Sequence, residues 1–338
     1  MSMRATLVIP TYNRARYLER ALHALEAQDA SGRFDVIVVD DGSADDTGAV
    51  LSRPWALQLT ALRQENAGPA AARNAAIRSA TGEVVVFVDD DVIAAPDLVR
   101  RHLEAQAEGP AVVIGRMAMP EGRRQPAWAE WEGRSLQRQY DLMTRGVFTP
   151  TPRQFYTANA SVPREAALRA GLFDPAFRRA EDVEFAYRLA DFGLPFRFEP
   201  EAVVVHDTPR SLDAWLRVAR QYGEYDIVMW RDKGRAHILR NIAEERRFYR
   251  PLPVRALTRV VAGRASLAAV VAGAGSTAIR ALGAVGARSG ALAACSAVFN
   301  ALYMDAACRT FGERRAFWRA IDAEADAAAA LEASAEAV

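Results

Sequence analysis

Little in this chain points to a secreted, membrane-spanning or polyanion-binding protein. Cysteine is scarce: Cys295 and Cys308 are the only two, both late and without metal-ligand spacing, which excludes a disulfide framework and fits a reducing compartment. An excess of one charge is also missing, since 43 basic residues face 42 acidic ones, so nucleic acid is not an expected partner. Met1 runs almost directly into an apolar stretch from Ala5 to Ile9, which leaves no room for a leader, and no signal peptide is expected. The apolar pieces between Arg264 and Arg280 and between Arg288 and Asp305 fall short of the roughly 20 residues that a spanning helix needs, so no transmembrane span is expected either.

What is present is an abrupt chemical switch. Val84-Val85-Val86-Phe87-Val88 reads as a strand covered on both faces, and it runs straight into Asp89, Asp90 and Asp91. Acids at the carboxyl end of a buried strand lie where open α/β sheets bind ligands. Carboxylates are hard donors suited to Mg2+ or Mn2+, which bridge nucleotide phosphates. A solvated turn capping a helix near Pro96 is the plainer alternative.

The first hundred residues alternate strand and helix patterns, with strands at 6–9, 36–39, 57–62 and 84–88 and helices at 17–27, 47–51, 70–79 and 97–107. This predicts an α/β fold with a mainly parallel, Rossmann-like sheet and helices on both faces. Right-handed crossovers then bring Pro10-Thr11-Tyr12-Asn13, Asp40-Asp41-Gly42-Ser43 and the Asp triplet to one edge. Further strands are expected at 112–114 and 202–205, short helices at 164–170 and 183–191, and an irregular Trp- and Arg-rich stretch at 123–145. The expected division is a first domain over 1–210, with halves 1–108 and 109–210, followed by a helical region over 211–338.

Five elements in register resemble the family 2 glycosyltransferases of GT-A fold. They are Val8-Ile9-Pro10-Thr11-Tyr12-Asn13-Arg14; Val38-Val39-Asp40-Asp41-Gly42-Ser43 with Asp46-Thr47; Asn66-Ala67-Gly68-Pro69 through Ala72-Arg73-Asn74; Phe87-Val88-Asp89-Asp90-Asp91, like a D-x-D element; and Gly171-Leu172-Phe173-Asp174 with Glu181-Asp182, Arg188-Leu189 and His206. Together they cover about residues 4–210. The resemblance implies an inverting, metal-dependent enzyme that moves a single sugar from a nucleotide diphosphate sugar, UDP-linked, to an acceptor hydroxyl in glycan, glycolipid or cell-envelope polysaccharide synthesis.

The same resemblance assigns roles. Pro10 and Tyr12 would line the base pocket, and Asp41 would accept from uracil N3–H while Asp40 supports the turn; a core-facing Tyr and an Asx-turn before Gly42 are the alternatives. Arg73 would reach the diphosphate, or simply face solvent. Asp89, Asp91 and His206 would hold Mn2+ or Mg2+, with Asp90 nearer the ribose or phosphate and Asp207 a second-layer partner of the histidine. Asp182 would be the general base, its alternative being a helix cap. Asn159 and Glu181 would lie at the acceptor, and Trp128 with Trp131 would form a sugar platform, although a three-residue spacing also suits a packed helical face.

Two features of related enzymes are absent. No Q-x-x-R-W element is present, Arg220-Gln221-Tyr222 not reproducing it, so repeated chain extension is disfavoured. The turn after Ile9 lacks the Gly-rich basic loop of a nucleotidyltransferase, which leaves that activity, and a non-catalytic scaffold, as rival readings. Eight arginines and no acid occupy 246–304; such a basic, apolar helical stretch suits an anionic membrane surface, implying a cytoplasmic protein, peripheral on the inner face of the membrane. An ordinary helical appendage is the alternative, because Arg264 interrupts the apolar face.

Overall fold

The computed structural model describes residues 3–336 except 123, 178 and 207–209, with side chains left out at 248, 249 and 330–336. Asp207 therefore lies outside the described residues. The chain divides into two compact units, one of residues 1–123 and 133–208, the other of 124–132 and 209–338.

The first unit contains, in order, β1 (Ala5–Thr11), α1 (Ala15–Glu26), β2 (Phe34–Asp40), α2 (Thr47–Leu51), β3 (Leu59–Arg63), α3 (Pro69–Ser79), β4 (Val84–Val88), β5 (Val92–Ala94), α4 (Leu98–Ala107) and β6 (Val112–Ala118). Then come α5 (Ala127–Thr144), whose first residues belong to the other unit, β7 (Asn159–Pro163), α6 (Arg164–Arg169), α7 (Glu181–Asp191) and β8 (Phe196–His206). The eight strands form one sheet in the order β3-β2-β1-β4-β7-β6-β8-β5.

Side chains alternate across a strand, and β4 uses both faces. Val84, Val86 and Val88 join Leu18, Leu22 and Leu25 of α1 and Leu98, Val99 and Leu103 of α4. Val85 and Phe87 turn the other way, toward Ala76 and Ile77 of α3 and Phe185 and Leu189 of α7. Phe87 there meets Phe155, Phe173 and Phe185 edge-on, at centroid distances of 6.0, 5.5 and 6.4 Å. The uninterrupted apolar run is thus the mark of a doubly covered central strand.

The sheet is mainly parallel, as expected, with two strands, β7 and β5, running the other way. β1 pairs in parallel with β2 and β4, but β7 runs antiparallel between β4 and β6, and β5 runs antiparallel to β8. The reversed strand Asn159-Ala-Ser-Val-Pro alternates polar and apolar residues over only five positions, too few to reveal it although a helical pattern follows directly. The stretch expected to be irregular holds the 18-residue helix α5.

The second unit is helical: α8 (Leu212–Asp232), α9 (His237–Tyr249), α10 (Leu252–Val261), α11 (Ala265–Ala284), α12 (Arg288–Phe311) and α13 (Arg314–Glu336). α12 is its axis, packed by α8, α10 and α11, and small residues allow the close approaches. A Cβ on Gly223 of α8 would come within 2.1 Å of Tyr303 O, and one on Gly275 of α11 within 2.2 Å of Val298. By length and composition alone α11 and α12 could each cross a membrane, although the core helix of a globular protein has the same properties. The helices are longer than those pieces because α11 continues through Arg280 and α12 through Asp305.

Candidate active site

The parallel strands β1, β2 and β4 end together, and the turns that follow are tied to one another. The Asp41 N–H donates to Thr11 O at 2.9 Å. The Asn13 N–H donates to Ser43 Oγ and the Ala44 N–H to Asn13 Oδ1, both at 2.8 Å. Asn13 takes a positive φ of 53° to do so, a conformation that asparagine tolerates better than most residues. Tyr12, 48 % exposed, faces outward rather than into the core, and Pro10 lies one step inside β1 opposite Val39.

The three aspartates do not act as one cluster. Asp90 is buried and accepts from Thr11 Oγ1 at 2.8 Å and from Arg14 Nη1 at 3.0 Å. Burial raises its carboxyl to about 6, although Arg14 and Thr11 pull the other way. Asp91 meets the same Arg14 nitrogen at 2.5 Å and His206 Nε2 at 3.5 Å. Burial would raise its carboxyl, but the hydrogen bond and charge of His206, then Arg14, hold it at about 2. Asp89 turns to another cation, accepting from Arg73 Nη2 at 2.8 Å.

Arg73 is the hinge of the site. It lies one turn inside α3, which starts at Gly68 with φ 91° and Pro69 in its first turn. Only 4 % exposed, it also donates through Nη1 to Glu181 Oε1 at 3.0 Å, so one guanidinium joins the end of β4 to the start of α7. Its neighbour Asn74 repeats the connection: Asn74 Nδ2 donates to Phe173 O, and the Phe173 N–H donates to Asn74 Oδ1, both at 2.8 Å. Asp182 follows Glu181 in the first turn of α7 and accepts the Val183 N–H at 2.8 Å through Oδ1. Ala180, not Asp182, occupies the cap position. Burial and then the charge of Glu181 push the Asp182 carboxyl up, to about 7, against the opposing pull of Val183 and Arg73.

Residues 6–167 match the family described as Glycosyl transferase family 2. This segment belongs to that family. Two curated glycosyltransferases resemble the chain. One, from Bacillus subtilis and named as an uncharacterized glycosyltransferase, is 31 % identical over 255 residues, 60 % of this chain and 64 % of that one. The other, a validoxylamine A glucosyltransferase from Streptomyces hygroscopicus subsp. jinggangensis, is 34 % identical over 235 residues, 58 % of this chain and 54 % of that one. The chain thus spans less than two thirds of the length of either. In three dimensions it superposes on a mannosyltransferase from Pyrobaculum calidifontis, solved with GDP-Man and Mn2+, with TM-score 0.55 and 24 % identity over 96 % of this chain and 87 % of that one. That likeness extends to the fold: a mixed α/β sheet flanked by helices, of GT-A type, with helices following.

Within the family 2 segment, other predicted residues have tasks of their own. Asp41 already accepts from Gln64 Nε2 at 2.7 Å and from the Ala67 and Gly68 N–H groups at 2.9 and 2.8 Å. Three of a carboxylate's roughly four acceptor sites are therefore used in holding the turn before α3. Asp40 braces the turn, accepting the N–H of Ser43 three residues on at 2.8 Å, and pairs with Arg63 at 2.5 Å. Asn159 is fully enclosed, not open to an acceptor. Its Oδ1 meets His102 Nε2 at 2.9 Å, and its Nδ2 donates to Arg116 O at 3.0 Å and Ala202 O at 2.8 Å. A Cβ on Gly115 would lie 2.4 Å from that amide, so the glycine makes room for it.

Trp128 and Trp131 belong to the helical unit's apolar core. Trp128 Nε1 donates to Arg210 O at 2.7 Å, and Trp131 packs on Trp215 and Phe299 at 5.7 and 4.9 Å. The structure thus commits both indoles to packing in place of the expected sugar platform. The expected metal trio is also not assembled: Asp91 and His206 are together, but Asp89 is paired with Arg73, and among the described residues no three acidic, His or Cys side chains surround a common point. Sequence reasoning did not single out Arg14, Asn74 or His102 as functional. Arg14 and Asn74 stood inside quoted motifs, whereas His102 carried no signal beyond its place in a helical pattern.

Proposed function

We propose that this protein is an inverting glycosyltransferase that moves one sugar from a nucleotide diphosphate sugar to an acceptor hydroxyl. The observation that carries the reading is the bridge from Asp89 through Arg73 to Glu181, which sets Asp182 beside the acidic strand end. A carboxylate whose pKa is near neutrality is well matched to removing a proton from a hydroxyl. With Oδ1 holding the Val183 N–H, Oδ2 is the oxygen for that task. The acceptor is a glycan, a lipid-linked sugar or a small molecule, with Glu181 beside it.

Asp91 Oδ2 and His206 Nε2, 3.5 Å apart, fit a divalent cation of the Mn2+ or Mg2+ kind, the donor's phosphates and water supplying the remaining ligands. Bound there, the cation would neutralise charge on the departing nucleotide. Asp89 serves in this reading through Arg73, holding α7 to the strand end. Asp90 and Pro10 shape the donor cleft floor, Tyr12 covers the base, and Asp41 offers its one remaining acceptor position to a base N–H, which favours uracil. The basic 246–304 stretch makes the enzyme peripheral on an anionic membrane surface.

Asp182→Asn tests the assignment: transfer should fall by about 10²- to 10⁴-fold while UDP binding, measured by calorimetry with Mn2+ present, stays intact. Loss of UDP binding in that variant would make Asp182 a structural residue. UDP binding by the native protein that survives chelator would remove the metal from the reading.

A further inference from the structure

Helix α11 is long, apolar and almost bare. Only 11 % of its apolar stretch is buried, against 56 % for α12. Its inner side is held to α12 by Ala268, Ile279 and the Gly275–Val298 approach. On the outer side Leu267, Val270, Ala274 and Ala281 are all exposed, Val270 by 64 %. Their spacing places them along one stripe. The preceding helix has a similar stripe, with Leu252, Ala256 and Val260 exposed at intervals of four. Buried apolar surface is the usual fate of such residues, so an exposed pair of stripes marks an interaction surface.

Charge identifies the occupant. The whole stretch 246–304 carries eight arginines and no acid, and Arg264 and Arg280, both exposed, lie just before the α11 stripe and near its end. Arg264 does not interrupt an apolar face, because it sits between α10 and α11, where its N–H donates to Asp305 Oδ1 at 3.0 Å. An apolar stripe with a cation near each end fits a surface that is apolar within and anionic at its rim, which is an acidic phospholipid leaflet. A span through the membrane is disfavoured, since α12 would have to leave its packing with α8, where Gly223 lies against Tyr303.

We infer that α11 lies in the plane of an anionic membrane surface and inserts Leu267, Val270, Ala274 and Ala281 beneath the headgroups, with Arg264 and Arg280 at phosphate level. This rests on the peripheral-membrane reading and names the element that performs it; it does not depend on the sugar-transfer chemistry.

Flotation of the full chain with vesicles of phosphatidylglycerol and phosphatidylcholine tests it, together with the variants Val270→Glu/Ala274→Glu and Val270→Trp. Both positions are exposed, and circular dichroism checks that the fold is kept. The native protein should float with mixed vesicles and much less with phosphatidylcholine alone. The double variant should bind about tenfold more weakly. The new tryptophan at 270 should be quenched by lipids brominated on their acyl chains. No native binding to either vesicle would overturn the peripheral reading itself. Native binding that the double variant retains, with no quenching at 270, would leave that reading standing on arginines alone and overturn the insertion of α11. Native binding that resists alkaline extraction would establish a span instead. Self-association lost in the double variant, without vesicle binding, would make the stripe a contact between copies.

Discussion

Arg14 and Arg73 each bridge two carboxylates at the same sheet edge, yet they differ in what surrounds them. The Arg14 side chain is 41 % exposed and lies over Asp90 and Asp91 from a loop; that of Arg73 is 5 % exposed, on a helix, and joins two elements by way of Asp89 and Glu181. Water reaches the cation in the first pair of contacts, whose carboxylates are buried, whereas in the second the cation is enclosed and only Asp89 is partly open. The difference suggests a division of labour in which the open arginine gives way to an incoming cation or diphosphate, while the enclosed one keeps the site assembled.

Removing the enclosed cation should have the largest effect. Arg73→Ala takes an enclosed cation away from the buried Glu181 and the partly open Asp89, and a loss of about 3–5 kcal/mol is expected in denaturant unfolding. A loss no larger than that in Arg14→Ala would break the comparison.

Next comes the buried amide beside the end of β4. Asn159 pairs across the sheet with Val88, the residue before Asp89, and it is held by His102. Burial, which outweighs the Asn159 hydrogen bond, lowers His102 to about 4, so it is neutral in the folded protein. The unfolded chain takes up this proton first, near the ordinary value of about 6.5. Stability contributed by the neutral ring is therefore fully present above pH ~6.5 and falls as pH drops toward ~4, by at most about 3 kcal/mol. A His102→Gln variant should lose that part of the acid sensitivity when unfolding is followed across the same range.

A third test concerns Asp182, the proposed base beside Arg73. Because Asp182 must be ionised to accept a proton and its carboxyl is raised to about 7, kcat/KM should rise about tenfold per pH unit below that value and level off above it. A profile flat from pH ~5 to 8 would detach Asp182 from the chemistry.

The smallest effect belongs to Arg14. Its loss in Arg14→Ala should cost less stability than that of Arg73→Ala, because water reaches the guanidinium end of its pairs although Asp90 and Asp91 are themselves buried. By freeing Asp91, the proposed metal ligand beside His206, the change should leave Mn2+ affinity equal or higher in calorimetry. A large drop in affinity would show that Arg14 organises the metal pair rather than yielding to it.

How far the sequence was legible varies from residue to residue. The strands β1, β2 and β4, and the acidic ends of β2 and β4, were readable because a buried strand is largely apolar and stops where polar residues begin. β7 was not, because five residues of mixed polarity carry too little periodicity, and its reversal made the sheet mixed. Asn159 was noticed for its position in a motif, but its enclosure depends on β6, β8 and α4 arriving around it. The tryptophans show the same limit, since a three-residue spacing serves a sugar platform and a packed helix alike.

By itself, then, the sequence determined the strand–helix alternation, the acids at the strand ends and a basic, acid-free stretch near the C-terminus, all of which are local properties of pattern and charge. Tertiary structure alone decided which cation each aspartate meets, that Asp41 and Asn159 hold the frame, and that α11 is left bare while α12 is covered. Those outcomes depend on groups far apart in the chain, and whether a charge is paired, or an apolar side chain buried, is settled only when the elements pack.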